Sequence, residues 1–256
     1  MLSAGDVVEL DFEDENKSEN IVPVNIPIDI LYEDGDIIVL NKPYNMPTHP
    51  SHGHFEDTLA NALAFRYSVE GAPFRPRFVN RLDRNTTGAV LVANHALSAV
   101  SLYRAMAEGE IQKTYLALVH GRVERDLRIE TGIRRAEGST ILREVCSAEE
   151  GAISITEMHV ICRTDEVSLV KLVPLTGRTH QLRVHMAHLG HPLLGDELYG
   201  IADDFPRHAL HARTLEFPAP QTGERIFLRA PLPQDMLDRI VLLGEEAAEL
   251  AKNEEF

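Results

Sequence analysis

Apolar and polar positions along this chain change in short blocks, and few stretches keep a helical period for long. Val7 to Phe12 alternates as a short strand, and the acidic stretch from Glu13 to Asn20 reads as an exposed linker. Ile28–Tyr32 and Ile37–Asn41 are apolar runs on either side of Glu33-Asp34-Gly35-Asp36, and Asp-Gly between such runs signals a β-hairpin. Lys42-Pro43 ends the second strand, and residues 43–56 form a loop with three prolines and three histidines. Asp57 is placed to cap a helix over Thr58–Val69, with Leu59, Leu63 and Tyr67 near one face. Residues 71–88 carry Gly, Pro and Arg with little period and read as loop.

Ala89–Ala93 is a short buried strand, Ala96–Ala107 a helix ended at Gly109, and Lys113–His120 a strong strand. The stretch 121–150 reads as polar and irregular. Ile153–Cys162 and Val167–Val173 form a strand pair around Arg163-Thr164-Asp165-Glu166. Thr176 is placed to cap a helix from Gly177 to Leu189, stopped by Gly190. Residues 191–223 are loop-rich with short strands such as Ala209–Ala212, followed by a strand over Ile226–Arg229 and a helix over Gln234–Leu243. Irregular alternation with hairpins predicts an α+β fold, a mixed and largely antiparallel sheet with packed helices. No repeat at a period of 20–50 residues is present.

Composition fits an ordinary globular chain of 256 residues, 44% apolar and 25% charged. No apolar run is long enough to span a bilayer, and the N-terminus lacks a basic segment followed by an apolar one. Cys146 and Cys162 are too few for a disulfide framework, so a reducing cytoplasm is expected. The net charge of −15 argues against a nucleic-acid partner until its distribution is read. Residues 1–36 hold 11 acidic side chains and one basic, residues 235–256 hold 7 and 2, and the body between them holds 22 of each. A neutral body with an Arg cluster at Arg75, Arg77, Arg81 and Arg84 can hold RNA, because the guanidinium fork matches phosphate.

The leading chemical candidate is Asp83, a loop carboxylate between Arg81 and Arg84 just before a buried strand. Two flanking cations suit a carboxylate that does nucleophilic or general-base work. Taken alone, such a pair is as well explained by an ordinary surface salt bridge.

Asn80-Arg81-Leu82-Asp83-Arg84-Asn85-Thr86-Thr87-Gly88 resembles the signature of the RluA-type pseudouridine synthases, His-Arg-Leu-Asp-Arg-x-Thr-Ser-Gly. Asn80 stands where the family has His, and Thr87 where it has Ser; both keep a hydrogen-bonding side chain. Three further stretches match in order. They are Ile38-Val39-Leu40-Asn41-Lys42-Pro43 with Thr48-His49-Pro50, then Lys113-Thr114-Tyr115-Leu116-Ala117, then Leu175 to Met186 continued by His191 to Asp196.

The resemblance implies a cofactor-free, metal-free isomerase that turns uridine into pseudouridine in structured ribosomal or transfer RNA, with a central RNA-binding cleft. It assigns Asp83 as the carboxylate that attacks the uridine or assists its detachment, Tyr115 as the ring that stacks on uracil and helps move a late proton, and Arg183 as the partner of Asp83. Stacking of this kind contributes roughly 1–3 kcal/mol per base. The target uridine must be flipped out to be reached, and Arg75, Arg77, Arg81 and Arg84 are the candidates for holding the distorted backbone. A helix from Gly177 would bring backbone amides and Arg178 to a phosphate and aim His180 and Arg183 at Asp83.

The expected organisation is an acidic segment over 1–20, a catalytic domain over 21–244 and an acidic tail over 245–256, acting as a monomer. Ser3 to Leu10 resembles the last strand of a small RNA-binding module that many relatives carry. RNA affinity is therefore expected to come from the cleft and to fall steeply with salt. Two other readings compete. A metal-dependent hydrolase would draw on His49, His52 and His54 or on His180, His185, His188 and His191, but their spacings do not match the two-His-plus-Glu helix of zinc hydrolases. A catalytically silent RNA-binding or ribosome-assembly protein would not need the set Asp83, Tyr115 and Arg183.

Overall fold

The computed structural model describes residues 21–69, 71 and 75–252. The strand over Val7–Phe12 and the linker after it lie outside the described residues. The hairpin forms where Asp-Gly predicts it: β1 (Ile30–Glu33) pairs antiparallel with β2 (Ile37–Lys42), and Asp34 Oδ1 accepts from the amides of Asp36 and Ile37. Helix α1 (Leu59–Val69) follows. Its cap is Thr58 and not Asp57: Thr58 Oγ1 accepts from the Asn61 amide while Asn61 Oδ1 accepts from the Thr58 amide. Asp57 turns instead to His54, 2.6 Å away.

Next come β3 (Arg77–Phe78), β4 (Thr87–Ala93), α2 (Ala96–Ala107) and β5 (Gln112–His120). The stretch read as polar and irregular contains two strands, β6 (Leu127–Arg135) and β7 (Arg143–Cys146). On β6, Ile129 and Ile133 are buried while Arg128 and Arg134 face outward to Glu157 and Glu144, so charge masks a period of two. The chain continues through β8 (Ala152–Arg163), β9 (Val167–Pro174), α3 (Gln181–His188), β10 (Leu210–Pro218), β11 (Arg225–Arg229), α4 (Gln234–Val241) and α5 (Glu245–Lys252). The tail expected from 245 thus begins as a helix, with Ala247 buried beside Met236 and Ile240.

Described strands form one 11-stranded sheet in the order β1-β2-β4-β10-β5-β9-β8-β6-β7, with β11 on β10 and β3 on β4. Every pairing is antiparallel except β4 with β10. Its central strands are buried on both faces, which explains their continuous apolar runs. On one face Ile38, Leu40, Val90, Val92, Ala117 and Val119 pack with Leu59 and Leu63 of α1 and Leu182 and Met186 of α3. On the other, Ile37, Val39 and Leu91 pack with Leu102 of α2, and Leu116 and Leu118 pack with Met236 and Ile240 of α4.

The β4–β10 junction positions the site. The two strands meet only at Thr87–His211 and Gly88–Ala212; β10 then turns to β11, and the far end of β4 to β3. The sheet therefore splays open beside this junction. Gly88 has φ +109°, and a Cβ there would lie 2.2 Å from the Ala212 carbonyl oxygen. Only glycine lets the strands approach so closely. Ala212 in turn pairs with Tyr115, and Tyr115 with Leu172, so the end of the Asp83 loop and Tyr115 share one row across the sheet.

Candidate active site

Asp83 lies between β3 and β4 in a loop tied down residue by residue. Thr48 Oγ1 donates to the Leu82 carbonyl at 3.1 Å. The Arg84 carbonyl accepts from Lys42 Nζ at 3.0 Å and from the Met46 amide at 3.2 Å. Arg207 Nη1 donates to the Asn85 carbonyl at 3.2 Å, and Thr86 Oγ1 lies 2.8 Å from His208 Nε2. The Thr86 amide closes a turn on the Asp83 carbonyl at 3.0 Å. Asn80, in the family's His position, braces the first residues of β4: its amide donates to the Ala89 carbonyl and accepts from the Leu91 amide.

Lys42 has no exposed surface, and its Nζ donates to the carbonyls of Pro43, Met46 and Arg84. Burial pushes this ammonium down to about 7, against the pull of the Asp83 charge. Three accepting carbonyls require all three of its hydrogens, so the geometry favours the ammonium form. Arg207 is equally buried and forks onto Asp235 of α4 at 2.7 and 3.0 Å, coupling that helix to the loop.

The side chain of Asp83 faces α3. Arg183 Nη1 is 3.3 Å from Asp83 Oδ2, and His180 Nε2 is 3.9 Å from the same oxygen. Arg183 is itself held by a bidentate pair with Asp196, Nε to Oδ2 at 2.8 Å and Nη2 to Oδ1 at 2.7 Å. Burial alone would raise the Asp196 carboxyl, but the hydrogen bonds and charge of Arg183 hold it below the usual carboxylate range. Tyr199 stacks under Arg183, 5.1 Å from guanidinium carbon to ring centroid. Tyr115 is buried, and desolvation together with the nearby Asp83 charge raises its phenol above the ordinary value, which keeps it protonated.

These groups open on a cleft of about 1210 Å³, lined by Pro47–Ser51, Phe78–Arg84, Lys113, Tyr115 and Val173–Arg183. Of the expected RNA contacts, Arg81, Arg84, Arg178 and His180 line it. Arg81 Nη2 reaches Thr179 Oγ1 at 3.5 Å, and Arg84 Nε bonds Asn45 Oδ1 at 2.9 Å. Arg178 Nε donates to the Ile153 carbonyl at 3.3 Å. Arg75 and Arg77 do not line the cleft; Arg77 Nη1 donates to the Arg75 carbonyl at 3.3 Å.

The helix expected from Gly177 starts only at Gln181. Thr176 Oγ1 accepts from the Ile155 amide and donates to Gln181 Oε1, which folds residues 176–180 against β8. His180 takes φ 57°, left-handed and incompatible with an α-helical turn. Gly177 therefore lies in a loop and offers no helix-end phosphate site. His180 and Arg183 nonetheless both approach Asp83, as the spacing led one to expect.

Sequence reasoning missed the roles of Asp196, Tyr199, Arg207 and Asp235. Asp196 had a signal, since it closes the matched stretch His191-Pro192-Leu193-Leu194-Gly195-Asp196. Arg207 and Asp235 had none, because their pairing spans a long loop and a helix end. The histidines are dispersed: His49 packs edge-on against Phe78, His54 pairs with Asp57, and His185 bonds Thr131 and Thr156. Among the described residues, no three His, Cys, Asp or Glu side chains converge as metal ligands.

Residues 36–188 match the sequence family described as RNA pseudouridylate synthase. An uncharacterized RNA pseudouridine synthase of Bacillus subtilis is 39% identical over 92% of this chain and 83% of its own length. Ribosomal large subunit pseudouridine synthase D of Vibrio cholerae is 37% identical over 97% of this chain and 80% of its own. Among solved structures, human RNA pseudouridylate synthase domain containing 1 superposes with a TM-score of 0.65 at 29% identity, covering 85% of this chain and 96% of that one. Human RNA pseudouridylate synthase domain containing 4, at 23% identity and a TM-score of 0.69 over 84% of this chain and 92% of that one, shares the fold.

Proposed function

The chain belongs to the RNA pseudouridylate synthase family, and on that premise we propose that it converts a specific uridine of large-subunit ribosomal RNA to pseudouridine, with Asp83 as the reacting carboxylate and no cofactor. The family makes it an isomerase. The choice of ribosomal over transfer RNA is supported by the likeness to a large-subunit synthase over 97% of the chain. A ribosomal RNA substrate supports a cytoplasmic location.

The observation that carries the reading is the setting of Asp83: one carboxylate oxygen is anchored 3.3 Å from Arg183, and the group opens on a cleft that Tyr115 also lines. In the reaction the N1–C1′ bond breaks, the base turns, the C5–C1′ bond forms, C5 loses its proton and N1 gains one. Atoms and electrons balance within the substrate, so no oxidant, reductant or co-substrate is consumed. The target must leave its stack to reach the cleft. Tyr115 supplies the face on which the uracil stacks, and Arg81, Arg84 and Arg178 supply charge for the flanking phosphates. Arg75 and Arg77, which do not line the cleft, are assigned to RNA backbone outside it.

Pseudouridine mapping of total RNA from cells with and without the gene tests the substrate. One site lost from large-subunit RNA is the expected result; a site lost from transfer RNA instead would overturn the substrate assignment. With purified enzyme, Asp83→Asn is expected to form no pseudouridine. Wild-type activity in that variant would end the assignment of Asp83, whereas no pseudouridine from the wild-type enzyme would favour a catalytically silent RNA-binding protein.

A further inference from the structure

Resting on the synthase reading above, we propose that His180 is a fixed hydrogen-bond donor to the O2 carbonyl of the target uracil, acting as the glycosidic bond breaks.

The argument begins at Tyr199. Its hydroxyl oxygen accepts the backbone N–H of Arg143 at 2.9 Å and lies 2.8 Å from His180 Nδ1. A phenol has one hydrogen, and donating it to Nδ1 satisfies both groups. Nδ1 is then the acceptor of a neutral imidazole, and the ring's own hydrogen sits on Nε2. The ring is held in that orientation. It packs edge-on against Tyr199 with centroids 5.6 Å apart, and Tyr199 is fixed in turn beneath Arg183. The backbone adds to this: His180 is left-handed at φ 57°, the one turn that carries the chain from the β8-bound loop into α3.

Nε2 is the end that faces the cleft. It stands 3.9 Å from Asp83 Oδ2, beyond hydrogen-bond reach, and among the described residues it makes no hydrogen bond. Burial lowers the imidazole below its ordinary range, and Asp83 and Asp196 only partly offset burial and the guanidiniums of Arg183 and Arg143. The ring thus offers the cleft a neutral N–H and no acid proton.

Chemistry selects the acceptor. When C1′–N1 breaks, the bonding pair passes to the uracil and its charge spreads over N1 and O2 and, through the C5–C6 double bond, onto C5 and O4. O2 is the carbonyl beside the glycosidic nitrogen, so it comes nearest to a carboxylate that works at C1′. A preoriented donor at that oxygen binds the detached base more strongly than the ground-state uridine, which speeds the step without proton transfer.

The test uses an RNA fragment carrying the mapped uridine, and a second copy with 2-thiouridine there, whose sulfur is the weaker acceptor. Single-turnover rates and RNA Kd are measured for wild type, His180→Leu, His180→Gln, Tyr199→Phe and Asp83→Asn. His180→Leu is expected to lose about 100-fold in rate with Kd unchanged, the usual effect of deleting one such donor. His180→Gln, which keeps an N–H at that reach, is expected to recover most of that factor, and Tyr199→Phe to lose rate because the tautomer is released. The 2-thio substrate should slow wild type and leave His180→Leu no slower than it already is. Wild-type rate in His180→Leu, or equal slowing of both enzymes by sulfur, overturns the proposal. Should His180→Leu not fold, the wild-type response to sulfur and the Tyr199→Phe rate decide it in the same sense. Failure of wild type to form pseudouridine would instead overturn the synthase reading itself, and its formation by Asp83→Asn the assignment of Asp83.

Discussion

Arg183 divides one guanidinium between two carboxylates: Nε and Nη2 fork onto Asp196 at 2.8 and 2.7 Å, and Nη1 reaches Asp83 at 3.3 Å. The tight, buried half of this contact orients the looser half that faces the cleft. Asp196 also accepts the amides of Leu198 and Tyr199, so it is fixed independently of Arg183.

Asp196→Ala should therefore both destabilise the fold and misplace Arg183. Removing one member of a buried ion pair costs about 3–5 kcal/mol, because the remaining charge is stranded. Urea unfolding should show a loss of that order, and pseudouridine formation should fall even at temperatures where the variant is folded. A loss below about 1 kcal/mol would mean that Arg183 finds another buried partner.

Gly88→Ala should be among the most damaging single-atom additions in the chain. Its Cβ would meet the Ala212 carbonyl at 2.2 Å, against backbone that belongs to the central strand β10. The positive φ adds its own penalty of about 1–2 kcal/mol. The measurement is soluble yield and thermal midpoint. A variant as stable as wild type would show that β4 and β10 can separate at this junction.

Much of this frame is legible in the sequence, for identifiable reasons. Asp34-Gly35 marks a hairpin because the side chain of Asp34 can bond the turn amides, and it does. Ala96–Ala107 is readable to the residue because it carries a helical stripe closed by Gly109. Strand β6 was hidden because Arg128, Glu130 and Arg134 alternate with its apolar residues, and the cross-strand partners of the two arginines, Glu157 and Glu144, are invisible to any local rule. The start of α3 lies later than the sequence suggests because Thr176 accepts from the Ile155 amide of β8, some 20 residues away in sequence, while it donates to Gln181, so the helix begins there and not at Gly177. In the site, Asp83, Tyr115 and Arg183 stood out through ordered motifs. Asp196, Arg207 and Asp235 did not, because a buried counter-ion is defined by its environment and not by its neighbours along the chain.

Tyr115 should reveal its part through two substitutions. Tyr115→Phe keeps the aromatic ring of a residue that lines the cleft, and should bind RNA as wild type does. Tyr115→Ala removes the stacking surface and should weaken binding by about 1–3 kcal/mol, or roughly 5- to 150-fold in Kd. Equal affinities for the Phe and Ala variants would mean that the uracil does not stack on this ring.

Acid should weaken the fold well before its carboxylates are protonated. His185, His208 and His211 are buried, and each bonds a threonine hydroxyl: His185 Thr156 at 2.9 Å, His208 Thr86 at 2.8 Å and His211 Thr87 at 2.8 Å. Burial is the main cause that lowers all three, to about 4 for His185 and about 3 for His208 and His211, from an ordinary 6.5. In the unfolded chain they take up protons as pH drops through 6.5, while in the fold they stay neutral. The unfolded state thus binds more protons, and stability must rise with pH across this window. Their contribution is complete above pH 6.5 and is lost progressively as pH falls toward the folded values. Each histidine costs about 1.4 kcal/mol for each pH unit below 6.5, so the three together cost about 4 kcal/mol between pH 7.5 and 5.5, most of it below 6.5. Urea unfolding at those two pH values measures the difference, and His185→Gln should reduce it by about a third if the three titrate independently. Stability that stays flat over this range would mean that the interior admits a proton to these rings. Two of them, His208 and His211, bond Thr86 and Thr87 at the end of the Asp83 loop, so the same titration should erode activity in step with stability.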